Sequence, residues 1–520
     1  MNRFGLAALL TAGALSVWWQ APSAAHMSDD AYQYIDAAAE ISSGECLCTR
    51  LAHFDEQLET GHFPVAFTHF PPGYPLLIAA VSRVGISLEK AAYALSVAGY
   101  LFTLWMFWSI AQGLGSLGWI SFAFGLLWVT HATALNTATK VATEAPFTAV
   151  LLVLIALIVR DIRTKGSHPG LLLAVGLSAG TAYWLRYAGL FLIPVAGLYI
   201  VWRTWQSRKV SWAAGALALL AGLMLAIQIR NIHYTGSWRG GFSAGQSHRL
   251  SWVLVETAKA FYHVVFGDRA VARADVWSVL FLISAGILLW LSYQYRRDFQ
   301  HSRLASSAAW IWLGAISAVY IAGVMAVALT SIAADFTRYY LPLYPLALAA
   351  LSAALSRFPA TIWRTAGVVG SVVAVLVIQG RSLAAEPSTS PHVQVTRALD
   401  QPITTGGTGL EWLLAHTQPQ DTIVSVNGQA LHYVLQRPVI SIIGPQFSAH
   451  PANEPVLHDL MNKFHARYLV VFPGMVENAQ EQADIPFLAG LASGAAPPEW
   501  LANAARGNAV SVWECQECVR

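Results

Sequence analysis

The chain has 520 residues, 56% of them hydrophobic and only 11% charged, with a formal net charge of +3 and a mean hydropathy of +0.49. Soluble proteins carry roughly 25% charged residues, so the composition excludes an ordinary soluble protein and makes lipid the solvent for most of the chain. Lys and Arg fall in short clusters between apolar runs rather than in one basic patch, which leaves no footprint for a nucleic-acid partner.

Apolar runs of about 16 to 23 residues, the length that crosses a hydrocarbon core of roughly 30 Å, lie near 4–20, 91–112, 117–135, 143–160, 171–186, 188–203, 211–229, 277–293, 308–330, 338–356 and 365–381. Backbone groups in lipid have to pair internally, so these runs predict a polytopic α-helical membrane protein of about eleven transmembrane helices. Cytoplasmic loops are rich in Lys and Arg, which orients the chain. Arg3 precedes the first run, Arg160, Arg163 and Lys165 follow the fourth, and Arg203, Arg208 and Lys209 the sixth. Arg296, Arg297 and Arg303 follow the eighth, and Arg357 and Arg364 the tenth. The alternation predicts a cytoplasmic amino terminus and places residues 21–90, 136–142, 230–276, 331–337 and everything beyond 382 outside. A competing reading makes residues 1–25 a cleaved signal peptide ending in Ala21-Pro22-Ser23-Ala24-Ala25, which leaves the first large loop on the same side.

The domain expectation follows: a transmembrane unit over 1–381 with long outer loops at 21–90 and 230–276, then a small outer α/β domain over 382–520. In the first loop, Leu76 to Val81 is too short to span and reads as an interfacial helix. In the second, Trp252 to Phe266 is amphipathic and suited to the membrane surface. A Ser/Pro/Thr linker near 386–391 leads to alternating segments at 421–426, 437–442 and 467–472 that read as strands separated by helices. No repeat of fixed period is present. Cys46, Cys48, Cys515 and Cys518 all fall outside, where disulfides form. Four cysteines allow three pairings, among them a bridge within Cys515–Cys518 and bridges from the tail to the first loop.

Ser28-Asp29-Asp30-Ala31-Tyr32 stands just past the first run, and residues 30–41 have the composition of a short helix with Ser28 as its N-cap. Carboxylates in a first turn suit the helix dipole, yet two adjacent ones at the membrane face, followed by Tyr32, Tyr34 and Asp36, also suit a cation or a polar substrate. Thr143-Glu144-Ala145-Pro146, just after Lys140, opens the fourth run, where Glu144 reads either as a helix cap or as a second acidic site. Arg186, Arg230 and Arg338 lie at or near outer helix ends. Guanidinium groups grip phosphate in a forked geometry, and the alternative for each is interfacial snorkelling. His53, His62 and His69, with Asp55 or Glu56, allow a divalent metal ion, although their spacing matches no compact metal motif.

The aspartate pair after helix one, the run Thr68-His69-Phe70-Pro71-Pro72-Gly73-Tyr74-Pro75 closing the first outer loop, and the acidic residue opening helix four together resemble the GT-C superfamily of polytopic glycosyltransferases. The resemblance is to family 39-like bacterial relatives of protein O-mannosyltransferases and of the aminoarabinose transferase that modifies lipid A, and it covers roughly residues 1–381. It implies a bacterial inner-membrane enzyme that moves sugar, with inversion, from a polyprenyl-phosphate donor to an extracytoplasmic glycolipid, polysaccharide or protein acceptor. It also implies that Asp30 or Asp29 faces the acceptor and anomeric carbon, with Glu144 as a second acidic group. Lys140, Arg186, Arg230 and Arg338 are then expected at the donor phosphate, and His69, Tyr74 and Tyr339 at the substrate. The resemblance fixes no cofactor and leaves a divalent metal ion as an option. An oligosaccharide ligase or polymerase would keep the arginines without needing the aspartates. A transporter would place its charges near mid-membrane on repeated halves.

Overall fold

The computed structural model describes residues 2–20, 27–53, 61–165, 168–207, 210–240, 248–266, 305–330, 336–357, 390–442, 453–476 and 485–518, with scattered residues of 365–376. Several sequence expectations lie outside these residues: the crossing at 277–293, most of that at 365–381, the candidate cleavage site at 21–25 and most of the linker at 386–391. The basic residues Arg208, Lys209, Arg296, Arg297, Arg303 and Arg364, and the acidic Asp55 and Glu56, lie outside them as well.

The amino-terminal part is helical: α1 (Asn2–Gln20), α2 (Asp29–Ser43), α3 (Gly73–Ser82), α4 (Leu88–Gly113), α5 (Gly118–Val129), α6 (Ala132–Ala138), α7 (Glu144–Arg163), α8 (Gly170–Leu185), α9 (Leu192–Ser207), α10 (Val210–Thr235) and α11 (Leu250–Phe266). After them come α12 (Ala305–Thr330), α13 (Phe336–Tyr340) and α14 (Tyr344–Leu355). Among the described residues five helices are long and apolar enough to cross a membrane: Leu88–Gly113, Glu144–Arg163, Tyr187–Gln206, Val210–Thr235 and Ser307–Leu329. A sixth results if α5 and α6, bent by 66°, form one span. Shorter apolar helices stand where crossings were expected at 4–20 and 171–186.

Two of the expected straight crossings are broken, each for a local reason. The run at 117–135 bends at His131, whose Nδ1 accepts from the Ala134 N–H and starts a new helix. The run at 338–356 divides into α13, a 3-10 turn over Leu341–Leu343 and α14, because Pro342 and Pro345 lack the N–H that would continue the ladder. At the core, α4 packs along α7, and α8 lies against both α7 and α10.

Helix α2 starts at Asp29, one residue before the expected start, with Ser28 at the N-cap position in extended conformation but without a side-chain capping hydrogen bond, and ends at Gly44, whose φ of 81° suits a residue without Cβ. Of the two loop segments picked out in sequence, Leu76–Val81 lies within helix α3 and 252–266 within helix α11.

The carboxyl-terminal residues build a six-stranded sheet in the order β2-β5-β4-β6-β8-β7. Its members are β4 (Ile423–Ser425), β5 (Val439–Ser441), β6 (Tyr468–Val471), β7 (Leu501–Arg506), β8 (Ser511–Cys515) and, from the first loop, β2 (Leu51–His53). The three strands expected from alternation are β4, β5 and β6. Strand β2 pairs in parallel with β5, Leu51 opposite Val439 and His53 opposite Ser441. The first loop thus supplies an edge strand to the sheet, so the α/β unit is built from two distant stretches of chain. Beside it, β1 (Cys48–Thr49) pairs antiparallel with β3 (Val65–Ala66). Helices α15 (Pro391–Leu399), α16 (Gly409–His416) and α17 (Gly428–Leu435) pack with this unit. The disulfides are Cys46–Cys48 and Cys515–Cys518, both local.

Candidate active site

Four charged side chains from four distant segments meet where helices begin or break. Asp30 lies in the first turn of α2, and Glu144 is the first residue of α7. Arg186 follows α8 in extended conformation before the 3-10 turn Tyr187–Phe191, and Arg338 sits on the short α13. Helix ends carry unpaired backbone groups and tolerate charge that a helix middle in lipid would not.

Arg338 joins the two acids. Its Nη2 donates to Asp30 Oδ2 at 2.9 Å, and its Nε donates to Glu144 Oε1 at 2.7 Å, with Nη2 2.6 Å from the same oxygen. Arg186 Nη1 reaches that oxygen as well, at 2.7 Å, and donates to Thr143 Oγ1 at 2.9 Å. One oxygen of Glu144 therefore holds both guanidinium groups. Its other oxygen, Oε2, is buried without a hydrogen-bond partner among the described residues.

Exposure separates the groups into two layers. The side chains of Glu144 and Arg186 are 1% and 14% exposed, whereas those of Asp30 and Arg338 are 31% and 34% exposed. The inner pair forms a fixed base and the outer pair an accessible edge. Asp29 is exposed at the start of α2. The protein mass around it and then the Asp30 charge push its carboxyl above the ordinary range, against the pull of Arg338.

The aromatic residues of the first loop brace this edge. Tyr34, one turn after Asp30, packs against Phe70 at 4.9 Å, Tyr74 at 5.1 Å and Phe67 at 6.4 Å between ring centroids. The Tyr74 hydroxyl is held by the Ala92 carbonyl at 3.2 Å and lies 3.3 Å from Ser96 Oγ, so Tyr74 ties the loop to α4. His69 stands edge-on to Phe70 at 4.7 Å. In the Pro-Pro-Gly run, Gly73 lets α3 approach α8 closely: a Cβ there would lie 2.5 Å from the Trp184 carbonyl oxygen. The Tyr339 ring receives the Arg186 guanidinium at 5.2 Å from its centroid.

Of the residues singled out in sequence, Asp30, Glu144, Arg186, Arg338 and Tyr339 come together directly, with Asp29 alongside. Tyr74 and His69 belong to the aromatic wall. Lys140 sits three residues before Thr143 in the connection between α6 and α7. Arg230 has a different engagement: its Nη2 donates to the Leu47 carbonyl at 3.2 Å and to the Phe67 carbonyl, clamping the first loop to α10. Thr143 and Tyr34 were not singled out for the cluster. A hydroxyl preceding Glu144 and a tyrosine one turn after Asp30 were the available signals.

Among the described residues the grouping of His, Cys, Asp and Glu ligand atoms close enough to share a metal ion is Glu40, Cys46 and Cys48, and the two sulfurs there are joined in a disulfide. His62 and His69 are not part of it. Between Asp30 and Glu144 stands the Arg338 guanidinium, which donates to both carboxylates.

Apolar spanning helices whose ends gather an Asp–Arg–Glu–Arg cluster, next to an α/β unit that borrows a strand from the first loop, define a polytopic membrane protein with a polar centre at one end of its bundle. That fold is the GT-C fold. The chain aligns over 99% of its length with 99% of ArnT from Cupriavidus metallidurans bound to undecaprenyl phosphate, at 14% identity and a TM-score of 0.59. The apo state of the same protein aligns at 15% identity and a TM-score of 0.58 over 100% of both chains. The archaeal oligosaccharyltransferase AglB from Archaeoglobus fulgidus, in complex with an inhibitory peptide and a dolichol-phosphate, aligns with 94% of this chain and 72% of its own at 12% identity and a TM-score of 0.53. No protein-family model and no curated protein sequence matches the chain.

Proposed function

We propose that the chain is a membrane glycosyltransferase that takes sugar from a polyprenyl-phosphate carrier and transfers it, with inversion, to an acceptor hydroxyl at the extracytoplasmic face. The observation that carries this reading is the span of Arg338 between Asp30 and Glu144. It sets an accessible carboxylate beside an accessible guanidinium on a buried charged base. The GT-C fold over the whole chain adds support, as do neighbours that contain undecaprenyl phosphate or a dolichol-phosphate.

On this reading the donor phosphate takes the outer face of Arg338, with Arg186 behind it, and the acceptor hydroxyl lies at Asp30. The acceptor oxygen attacks the anomeric carbon as the bond from that carbon to the phosphate oxygen breaks, and Asp30 receives the hydroxyl proton. The leaving lipid phosphate gains charge, which preorganised guanidinium groups stabilise at the moment it develops. The orientation with amino terminus inside, the further crossings beyond those described, the residence in a bacterial inner membrane and the outer placement of the α/β unit belong to the same proposal.

The test is release of free polyprenyl phosphate from a panel of polyprenyl-phosphate sugars by the purified chain. Asp30→Asn is expected to lower turnover by about 10²- to 10⁴-fold, and Asp29→Asn by less than about 3-fold, since Arg338 holds Asp30. Absence of release by the wild type across a broad donor and acceptor panel refutes the reading. Undiminished turnover in Asp30→Asn refutes the role of that residue.

A further inference from the structure

Helix α2 has two working faces. Residues four apart share a face and residues two apart lie on opposite sides. Asp30 and Tyr34 face the charged cluster and the aromatic wall. Tyr32 and Asp36 face the other way, onto the carboxyl-terminal unit. The Tyr32 hydroxyl lies 3.0 Å from His392 Nδ1, accepts from the His392 N–H at 3.0 Å, and its ring packs on Tyr433 at 5.3 Å. Asp36 Oδ1 lies 2.9 Å from His432 Nε2 across 396 residues of sequence.

The protonation of that pair can be read from its partners. His432 Nδ1 lies 2.5 Å from the Arg437 carbonyl oxygen, an acceptor. Its Nε2 faces a carboxylate oxygen. A ring with acceptors at both nitrogens carries both protons and is a cation. Asp36 in turn receives at Oδ2 the Thr49 hydroxyl at 2.5 Å and the Arg50 N–H at 2.6 Å, so it faces donors only and is ionised. The side chains are 5% and 8% exposed, so the pair is buried. Breaking a buried pair by neutralising one member leaves the other uncompensated.

We propose that Asp36 and His432 form a charged latch through which the carboxyl-terminal unit sets the position of α2, which makes His432 a positioning residue for Asp30. The proposal rests on the transferase reading only for its consequence on turnover; the latch itself is a statement about α2. Strand β2, which begins two residues after Thr49 and pairs with β5 four residues beyond Leu435, closes the same junction from the other side.

The groups that face the His432 ring are Asp36 from α2, Arg50 from the connection before β2 and the Arg437 carbonyl from the turn after α17; the Arg437 guanidinium is engaged with Thr417 and Leu435. Burial opposes the His432 charge and Arg50 adds to that, but Asp36 and the Arg437 carbonyl outweigh them and raise its pKa above 6.5. The latch is therefore complete below the unfolded value and is lost as pH rises through the higher folded one.

The experiment measures hydrogen exchange of the peptide covering α2, expressed as protection relative to the base-catalysed intrinsic rate at each pH, and steady-state release of polyprenyl phosphate, from about pH 6 to about pH 9, on the full chain in detergent. In the wild type, α2 protection and kcat are expected to fall together as pH rises. His432→Gln is expected to show low α2 protection at every pH, a kcat lower by roughly 10- to 100-fold at the acidic end with donor KM within about 2-fold, and no alkaline limb. Asp36→Asn is expected to move the wild-type limb to lower pH. Retention of the alkaline limb by His432→Gln, or α2 protection independent of both pH and that substitution, overturns the latch. If the variant does not fold, the wild-type titration of α2 exchange still decides. If no donor is turned over, the transferase reading falls, while pH-dependent protection of α2 upholds the latch and its absence overturns it.

Discussion

Glu144→Gln is the substitution that interrogates the cluster most directly, because a single carboxylate oxygen holds both arginines at 2.6 to 2.7 Å. Gln keeps the shape and one acceptor but removes the charge. Unit charges about 4 Å apart at an effective dielectric near 20 attract by about 4 kcal/mol, so two such pairs amount to about 8 kcal/mol. Against this stands the cost of burying the carboxylate, several kcal/mol, which the neutral amide escapes. The balance is a destabilisation of about 3 to 5 kcal/mol, the range seen when one partner of a buried pair is removed. The unneutralised guanidinium groups then repel, and Arg338 shifts toward Asp30, its remaining anionic partner. A displacement near 1 Å at such a centre costs about 10²-fold in rate. The expected outcome is a lower thermal midpoint in detergent, with kcat for polyprenyl-phosphate release about 10²-fold down and donor KM unchanged or lower. A variant with wild-type stability and kcat, or a loss confined to KM, would refute the assignment of Glu144 as the base of both arginines.

Three further outcomes follow from other contacts. Arg186 meets the face of Tyr339, so Tyr339→Phe is expected to keep activity within about 3-fold, while Tyr339→Ala forfeits about 0.5 to 2 kcal/mol of cation–π attraction and lowers kcat/KM accordingly. In α4, a Cβ on Gly99 would fall 2.6 Å from Pro146 N and 2.7 Å from the Ala145 carbonyl carbon. Gly99→Ala therefore pushes α7 away next to Glu144, and a destabilisation of about 1 to 3 kcal/mol, read as a lower thermal midpoint, is expected together with reduced turnover. At the acid end, burial opposes the Asp36 charge, but His432, Thr49 and the Arg50 N–H outweigh it and hold its pKa below 3.8. Its stabilisation is present above the unfolded value and lost as pH falls through the lower folded one. Thermal midpoints measured below about pH 4 should fall in the wild type and show a smaller pH dependence in Asp36→Asn.

How far the sequence could be read depended on the range of the physics involved. The start of α2 was legible to within a residue because first-turn acids after a serine are a signal confined to one turn, although the Ser28 side chain makes no capping hydrogen bond. Strands β4, β5 and β6 were legible because alternation is local as well. Strand β2 was not: Leu51–His53 is three residues long, and its partner β5 begins at Val439. The bend between α5 and α6 escaped hydropathy because the apolar run continues through it, and His131 breaks it by capping. Arg186 and Arg338 were picked out by position at helix ends, the same criterion that selected Arg230. Position alone did not distinguish a guanidinium facing Glu144 from one clamping the Leu47 and Phe67 carbonyls. The pairing of Asp36 with His432 left no trace in spacing: Asp36 stood out only as a neighbour of the aspartate pair, whereas its partner lies 396 residues away.

The charge arithmetic of the cluster bears on why Arg338 occupies the middle. Asp30, Glu144, Arg186 and Arg338 sum to zero, which suits a site at the ends of helices in lipid. Under the transferase reading the phosphodiester donor enters with one negative charge and leaves as a phosphomonoester with two, while Asp30 goes from carboxylate to acid. Total charge is unchanged by the step. What moves is one negative charge, from the carboxylate to the phosphate, and the group in contact with the carboxylate is Arg338. A guanidinium with several donors in one plane can follow that movement by trading one partner for another without leaving its anchor. Glu144 is that anchor, buried and fixed, which is why its neutralisation is expected in kcat rather than in the binding of donor.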